Sequence, residues 1–188
     1  MKRTHQVRLF TAYPRTILKE LKIRPGMKVL DIGSGVGFHS GVVAVKGAKI
    51  IPLDIEKKNI EITNKVMHWL KRKKYWKRKG LRLLGHVPLK LSEKKAIRIN
   101  KKIQPKQNVG VVASAEYLPF KNEVFDRIVM LEVLQHIKDK KRALEEIKRV
   151  LKPGGLVLIH TAEYEKALPK VLEKMGFVKV GKYVYKKR

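Results

Sequence analysis

The stretch VLDIGSGVGFHS, residues 29–40, carries the clearest indication of fold class in the sequence. An apolar run leads into an acid, Asp31, and three glycines follow at alternating positions. Apolar residues before a glycine loop and a helix predict a buried strand whose carboxyl end brings backbone close to a ligand. The dinucleotide fingerprint Gly-x-Gly-x-x-Gly is incomplete, because Phe38 holds its last glycine position. Asp31 would also repel a pyrophosphate, so the pattern favours a cationic ligand.

A second acid follows at the end of a second apolar stretch. AKIIPLD, residues 48–54, predicts a strand that ends at Asp54. An acid at this place in nucleotide-binding α/β folds accepts hydrogen bonds from ribose hydroxyls. A ligand with a cation beside Asp31 and a ribose beside Asp54 matches S-adenosylmethionine.

Strands and helices alternate along the rest of the chain, which predicts a mostly parallel α/β sheet with helices on both faces. The closing stretch GFVKVGKYVYKK alternates like a hairpin that turns near Gly181 and adds an antiparallel strand. The other predicted elements are a helix at about 15–22, strands within 28–32, 108–115, 125–133 and 156–161, a helix at 140–151 that ends in a Pro153-Gly154-Gly155 turn, and a helix at about 163–175.

The charge is unbalanced and concentrated. The chain has 45 Lys and Arg against 16 Asp and Glu, a net charge of +29, which favours a polyanionic partner. Residues 66–107 contain a single acid, Glu93, and lie in an interval too long for one helix and its loops. We therefore predict a single domain, residues 1–188, with an inserted basic subdomain at 66–107. Trp69 and Trp76 within it either stack on bases or form its own small core.

Four motifs resemble those of a known family. VLDIGSGVG, IIPLDIE, ASAEYLPFKNEVFDRIVMLEVLQHI and RALEEIKRVLKPGGLVLI are similar, in this order, to the motifs of class I S-adenosylmethionine-dependent methyltransferases. The resemblance is strongest to the subgroup of ubiquinone/menaquinone-biosynthesis and tRNA wobble-uridine carboxymethyl methyltransferases. It covers nearly the whole chain apart from the insert. It implies a Rossmann-like α/β fold with a seven-stranded, mostly parallel sheet and an antiparallel terminal hairpin.

The resemblance also implies which residues hold the S-adenosylmethionine cofactor. The glycine loop would hold its methionine part, Asp54 the ribose, and Ile55 would flank the adenine. Ser114 stands where the family usually has an Asp that accepts from the adenine amino group. The residues assigned to the cofactor are Asp31, Gly33, Ser34, Gly35, Gly37, Asp54, Ile55, Ser114, Ala115, Glu116, Met130 and Leu131, of which the last two would border the methyl group.

Two residues after the fourth strand are candidates for catalysis. Glu132 is either a general base near the methyl group or a carboxylate at the start of a helix. His136, one helical turn further on, either takes part in catalysis or packs. The sequence contains no cysteine, and we expect no metal site.

The sequence leaves three hypotheses about function open. The absence of cysteine disfavours methylation at pyrimidine C5. The resemblance further implies that exocyclic adenine nitrogens and glutamine side chains are disfavoured, because the Asn/Asp-Pro-Pro-Tyr motif associated with them does not follow the fourth strand. The charge favours RNA, either tRNA or rRNA, bound by the basic insert. Whether an adapter subunit takes part, as in the wobble-uridine relatives, stays open. The alternatives are a small quinone-type molecule, or a non-catalytic nucleic-acid-binding protein on the same fold. The N-terminal stretch has no apolar core of a signal peptide, so we expect a cytoplasmic protein.

Overall fold

A computed structural model describes residues 19–72 and 110–188. Seven strands and four helices of more than one turn follow one another in these ranges, with a short 3₁₀ helix at Leu134–His136. The strands are β1 (Lys28–Ile32), β2 (Lys49–Asp54), β3 (Val111–Val112), β4 (Phe125–Leu131), β5 (Leu151–His160), β6 (Phe177–Lys179) and β7 (Val184–Lys187); the helices are α1 (Phe38–Val45), α2 (Lys57–Arg72), α3 (Lys140–Val150) and α4 (Leu168–Lys174).

The strands form one sheet in the order β3-β2-β1-β4-β5-β7-β6. The first five strands pair in parallel, while β7 lies antiparallel between β5 and β6. Val180 and Gly181 both donate their amides to the Val184 carbonyl, which closes the hairpin where it was predicted. The predicted α/β class, the seven strands and the antiparallel terminal hairpin are thus confirmed.

Core residues lie on both faces of the sheet because side chains alternate along each strand. On β4, Ile128 and Met130 belong to a cluster that includes Ile147 of α3. Val129 belongs to a second cluster, with Met67 of α2. The helices therefore cover both faces, and the β4 backbone lies between two apolar layers.

The predicted Pro153-Gly154-Gly155 turn is wrong. Helix α3 ends at Val150, and β5 begins with the next residue, Leu151, which pairs with Phe125. The register then shifts, so that Arg127 pairs with Leu156. Pairing with β4 on both sides keeps the Pro-Gly-Gly segment inside β5, as a bulge instead of a turn after the helix.

Other element boundaries also differ from the prediction. The third strand is only two residues long, and the helix expected at about 163–175 is limited to Leu168–Lys174. Residues 66–72 continue helix α2, while the rest of the predicted insert lies outside the described residues, so the insert stays a prediction. Of the helix expected at about 15–22, only its last turn falls within the described residues. Within residues 19–72 and 110–188, no helix is long and apolar enough to cross a membrane.

Candidate functional site

The glycine loop between β1 and α1 is fixed to β2 and α2 by hydrogen bonds. The Asp54 carboxylate accepts from the Gly35 amide at 2.8 Å on one oxygen. Its other oxygen accepts from the Glu56 amide at 2.9 Å and from Asn59 Nδ2 at 3.2 Å. Thr63 Oγ1 donates to the Gly35 carbonyl at 2.8 Å. Three of the roughly four acceptor positions of Asp54 are thus used, which leaves one for a ribose hydroxyl.

The three loop glycines serve different purposes, although all have a positive φ. A Cβ on Gly33 would lie 2.2 Å from Val133 Cγ2, and a Cβ on Gly37 would lie 2.7 Å from Thr63 Cγ2. At Gly35, no atom of the described residues lies within 4 Å of such a Cβ. Gly33 and Gly37 are therefore required by packing within the protein, and Gly35 has its open side toward the site.

Ser34 provides a polar group that matches this opening. Its side chain is buried, and among the described residues its Oγ has no hydrogen-bond partner, while its amide donates to the Leu53 carbonyl at 2.9 Å. Buried hydroxyls in folded proteins nearly always have a partner, so this one indicates a polar ligand atom. The open side of Gly35, the Ser34 hydroxyl and the Asp54 carboxylate fit S-adenosylmethionine.

Asp31 lies beneath the loop and is directed toward α1. Its carboxylate is buried and accepts from Ser40 Oγ at 2.6 Å. Burial raises the pKa of Asp31 to about 7, and the hydrogen bond from Ser40 opposes this rise. A cation bound nearby would favour the ionised form. The proposed role of Asp31 toward the methionine ammonium stays a prediction, but its environment makes that role depend on pH.

Two exposed apolar side chains stand beside Asp54. Ile55 is 69% exposed and Val112, which pairs with Asp54 across β2 and β3, is 50% exposed. Ile55 was predicted to flank the adenine, and this stays a prediction. Val112 was not predicted, although its place at the end of the third strand was a usable signal.

The turn after β3 is closed by Ser114 and Glu116. Ser114 Oγ accepts from the Glu116 amide at 3.1 Å and donates to Glu116 Oε2 at 3.0 Å. Glu116 Oε1 accepts from the Asp139 amide at 2.7 Å, just before α3, and Ala115 between them is buried. Because its proton goes to Glu116, Ser114 presents only a lone pair to a ligand, as an acceptor for the adenine amino group must. The carboxylate of Glu116 links this turn to α3.

Met130, predicted to border the methyl group, lies in the core, and its place beside the methyl group stays a prediction. Its side chain is fully buried in the core, because its position on β4 directs it into the layer beneath the sheet. Leu131, the next residue, points to the opposite face and is half-buried. The placement of Leu131 beside the methyl group stays a prediction.

Glu132 pairs with a histidine that the sequence analysis missed. Its carboxylate contacts His160 Nδ1 and accepts from Gln135 Nε2 at 3.1 Å. His136 is exposed on the 3₁₀ helix, and no described contact joins it to Glu132. The signal that could have found His160 is its place at the end of β5, beside Leu131 in register. Within residues 19–72 and 110–188, no three His, Asp or Glu side chains are grouped to hold a metal ion.

The contact between Gly33 and Val133 provides a test of the glycine assignments. We expect Gly33→Ala to destabilise the protein by about 2–3 kcal/mol, because a methyl group must displace Val133 from a residue with positive φ. Adding Val133→Ala should restore part of this loss. Gly35→Ala should cost only about 1 kcal/mol of backbone strain but weaken cofactor binding. Chemical denaturation of the three variants measures the stabilities; equal losses for both single glycine variants would contradict the assignment.

The sequence is similar to a known family and to individual relatives. Residues 4–180 match the family described as methyltransferase domain. The chain is 31% identical over 156 residues to the ubiquinone/menaquinone biosynthesis C-methyltransferase of Wigglesworthia glossinidia brevipalpis, covering 80% of this chain and 48% of that relative. It is 27% identical over 136 residues to the ubiquinone biosynthesis O-methyltransferase of Pseudomonas putida, covering 72% of this chain and 44% of the relative. The chain spans about half the length of these curated relatives.

The fold has a counterpart among solved structures. A SAM-dependent methyltransferase from Aquifex aeolicus has a TM-score of 0.57 and 19% identity, with 99% of this chain and 96% of that chain covered. At this identity the likeness concerns the fold alone. The family match over residues 4–180, the seven-stranded sheet and the glycine loop at its carboxyl edge show that this chain belongs to the methyltransferase domain family, within the class I S-adenosylmethionine-dependent methyltransferases.

Proposed function

We propose that this chain is an S-adenosylmethionine-dependent methyltransferase. The observation that carries the proposal is the open side of Gly35, flanked by the buried hydroxyl of Ser34 and the carboxylate of Asp54. When bound, the cofactor supplies an electrophilic methyl group on a sulfonium. The protein's part is to hold that group, to align an acceptor with it and to exclude water.

For the acceptor, we propose a small ring-containing molecule of the quinone-precursor type. Support comes from the relatives, whose names concern ubiquinone and menaquinone biosynthesis and which align over 72–80% of this chain. The end of β5, beside the carboxyl edge of β4, also borders a cleft of about 130 Å³, a size that suits part of a small ring compound.

RNA is the second candidate acceptor, and the net charge of +29 favours it. A chain this basic binds polyanions, and phosphate contacts would make its affinity fall steeply with salt. The basic insert predicted at 66–107 and an adapter subunit belong to this candidate. No relative described above has a name that concerns RNA.

One labelling experiment separates the two acceptors. S-adenosylmethionine with a radiolabelled methyl group is incubated with the purified protein and, in separate reactions, with total RNA, total protein and a lipid and small-molecule extract. The extracts come from source cells that lack this gene, so that acceptor positions are unmethylated. We expect label in the lipid and small-molecule fraction. Label in RNA would replace the quinone-type acceptor with the second candidate, and no cofactor binding at all would contradict the methyltransferase proposal.

A further inference from the structure

Positively charged side chains follow one another along the amino edge of the sheet, opposite the edge that carries the glycine loop. Lys28 and Lys49 are the first residues of β1 and β2, and they pair with each other in register. One residue further along the strands, Arg127 of β4 and Lys186 of β7 both pair with Leu156 of β5. Because the strand order is β2-β1-β4-β5-β7, these cations lie side by side.

The loop that leads into β1 adds another cation at this edge. It is held against the loop before β2, because the Gly26 amide donates to the Gly47 carbonyl at 2.9 Å. The loop carries Arg24, which is exposed. Burial lowers the pKa of the Arg127 guanidinium, and the charge of nearby Arg24 lowers it further. Two like charges are thus kept close together at this end of the sheet.

The bulge in β5 brings in a lysine from the next strand. Lys152 lies at the start of the bulge, and its Nζ pairs with Asp126 Oδ1 at 2.7 Å. A Cβ on Gly154, which is exposed, would lie 3.9 Å from Lys186 Cε. The bulge therefore places Lys152 and Lys186 near the same exposed glycine.

These cations are poorly neutralised. We call them the amino-edge row: Arg24, Lys28, Lys49, Arg127, Lys152 and Lys186. Asp126 pairs with Lys152 and accepts the Lys28 amide at 2.8 Å. Among residues 19–72 and 110–188, the ammonium groups of Lys28, Lys49 and Lys186 form no ion pair. Like charges on neighbouring strands repel each other, so a bound anion would stabilise this edge.

We propose that the amino-edge row binds the sugar–phosphate backbone of a nucleic acid. The row extends over five neighbouring strands, and at about 4.8 Å between strands it is about 19 Å long. A line of cations suits a chain of phosphates, whereas a single phosphate ion would need donors that converge on one point. Contacts of lysine and arginine to phosphates carry no sequence information, so we expect binding to differ little between sequences.

The same edge is less suited to a membrane surface. Surfaces that lie on a bilayer combine cations with apolar side chains that enter it. Val29 and Ile50, which follow Lys28 and Lys49 on their strands, are buried in the core. The exposed large apolar side chains within residues 19–72 are instead those at positions 36 and 55, near the opposite edge.

The row is separated from the cofactor side of the sheet by the length of the strands. Strand β1 has five residues between the row and the glycine loop, which corresponds to about 16 Å. A nucleic acid on the row is therefore held away from the groups around Gly35. The inference goes beyond the proposed function and holds for either candidate acceptor.

The test measures binding of a fluorescein-labelled oligouridine to the full-length, cofactor-free protein by fluorescence anisotropy over a series of salt concentrations. Lys28→Gln/Lys49→Gln should weaken binding about tenfold at about 0.1 M salt. It should also lower the slope of log affinity against log salt by about 1.4, because each phosphate contact on a single strand contributes about 0.7. Lys28→Arg/Lys49→Arg keeps both charges and should bind as wild type.

The matched control is Lys57→Gln/Lys58→Gln, which removes the same charge from two exposed lysines at the start of α2, near the opposite edge. We expect it to change the affinity by less than about twofold. Equal losses in the two glutamine variants would show that binding follows net charge alone, and would overturn the proposal. An unchanged salt slope in Lys28→Gln/Lys49→Gln, or no binding of the oligouridine to wild type, would also overturn it.

Two further measurements keep the outcomes distinct. Circular dichroism establishes that each variant is folded, and calorimetry measures S-adenosylmethionine binding, which the variants of the row should leave within about twofold of wild type. Cosedimentation with vesicles of phosphatidylcholine and phosphatidylserine tests the membrane. If Lys28→Gln/Lys49→Gln lost vesicle binding but kept its affinity for the oligouridine, the row would be a membrane contact and the proposal would be wrong.

Discussion

Asp54→Ala is expected to weaken S-adenosylmethionine binding by about a thousandfold. Hydrogen bonds to a charged group contribute about 1.5–3 kcal/mol each, and the change removes the ribose acceptor as well as the bond that holds the Gly35 amide. Two such losses correspond to about three powers of ten in the dissociation constant. The glycine loop would also lose the bond that fixes it beside β2, which adds to the loss of the contact between Asp54 and the ribose.

Calorimetric titration with S-adenosylmethionine measures this effect. Glu56→Ala is the matched control, because Glu56 contributes only its amide to Asp54 and the amide survives the change. Asp54→Asn should fall between the two, since one oxygen remains to accept. An affinity for Asp54→Ala within threefold of wild type would show that the ribose is held elsewhere.

Asp31→Asn is expected to stabilise the ligand-free protein above pH 7 and to weaken cofactor binding at the same time. Burial raises the pKa of Asp31 from 3.8 to about 7, so ionising this carboxyl costs the folded state up to about 4 kcal/mol. Asparagine carries no charge to bury and can still accept from Ser40. It cannot, however, attract a cation.

The pH dependence follows from the same shift. Between about pH 4 and 7 the folded protein retains the Asp31 proton while the unfolded chain releases it. The folded state therefore binds more protons in this window, and stability falls as the pH rises until it levels off above about 7. Burial lowers the pKa of His39 to about 4, which gives the opposite slope between about pH 4 and 6.5. Subtracting the curve of Asp31→Asn from that of wild type removes the His39 contribution.

Thermal unfolding without ligand, at steps from pH 4 to 9, measures the difference curve. We expect it to grow up to about pH 7 and then stay constant. Cofactor affinity should rise with pH through about 7 in wild type and stay flat in Asp31→Asn, since only the ionised carboxyl attracts the ligand's cation. Parallel stability curves for the two proteins would contradict the buried position of this carboxyl.

The sequence was sufficient to predict the sheet because its signals are local. The apolar run before Asp31 and the alternation around Gly181 each specify a strand through neighbouring residues alone. The turn predicted at the Pro-Gly-Gly segment was wrong because Leu151 pairs with Phe125. This contact is distant in sequence, and it overrides the local preference for a turn. The sequence also did not show which side chains near the predicted site are buried. Met130 is next to the predicted site in sequence, but its position on the strand directs it into the core.

The sequence led to candidate residues on the cofactor side of the site, and it did not point to the pairing of Glu132 with His160. Asp54 could be found because an acid at the end of a second strand has a known use. Gly33 and Gly35 look alike in sequence, and only the position of Val133 shows that the first is needed for packing. The pairing of Glu132 with His160 joins residues 28 positions apart and follows from the register of β4 and β5, which no local pattern reveals.

The strand order has a consequence for how this protein can diversify. The groups around Gly35 come from β1, β2 and α2, whereas the cleft beside His160 is built by β5, α4 and the hairpin of β6 and β7. Substitutions in the hairpin can accumulate without passing through the strands that carry Asp54. Duplicated copies of such a gene can thus change the shape and charge of this cleft one residue at a time, while selection holds the other half of the sheet constant.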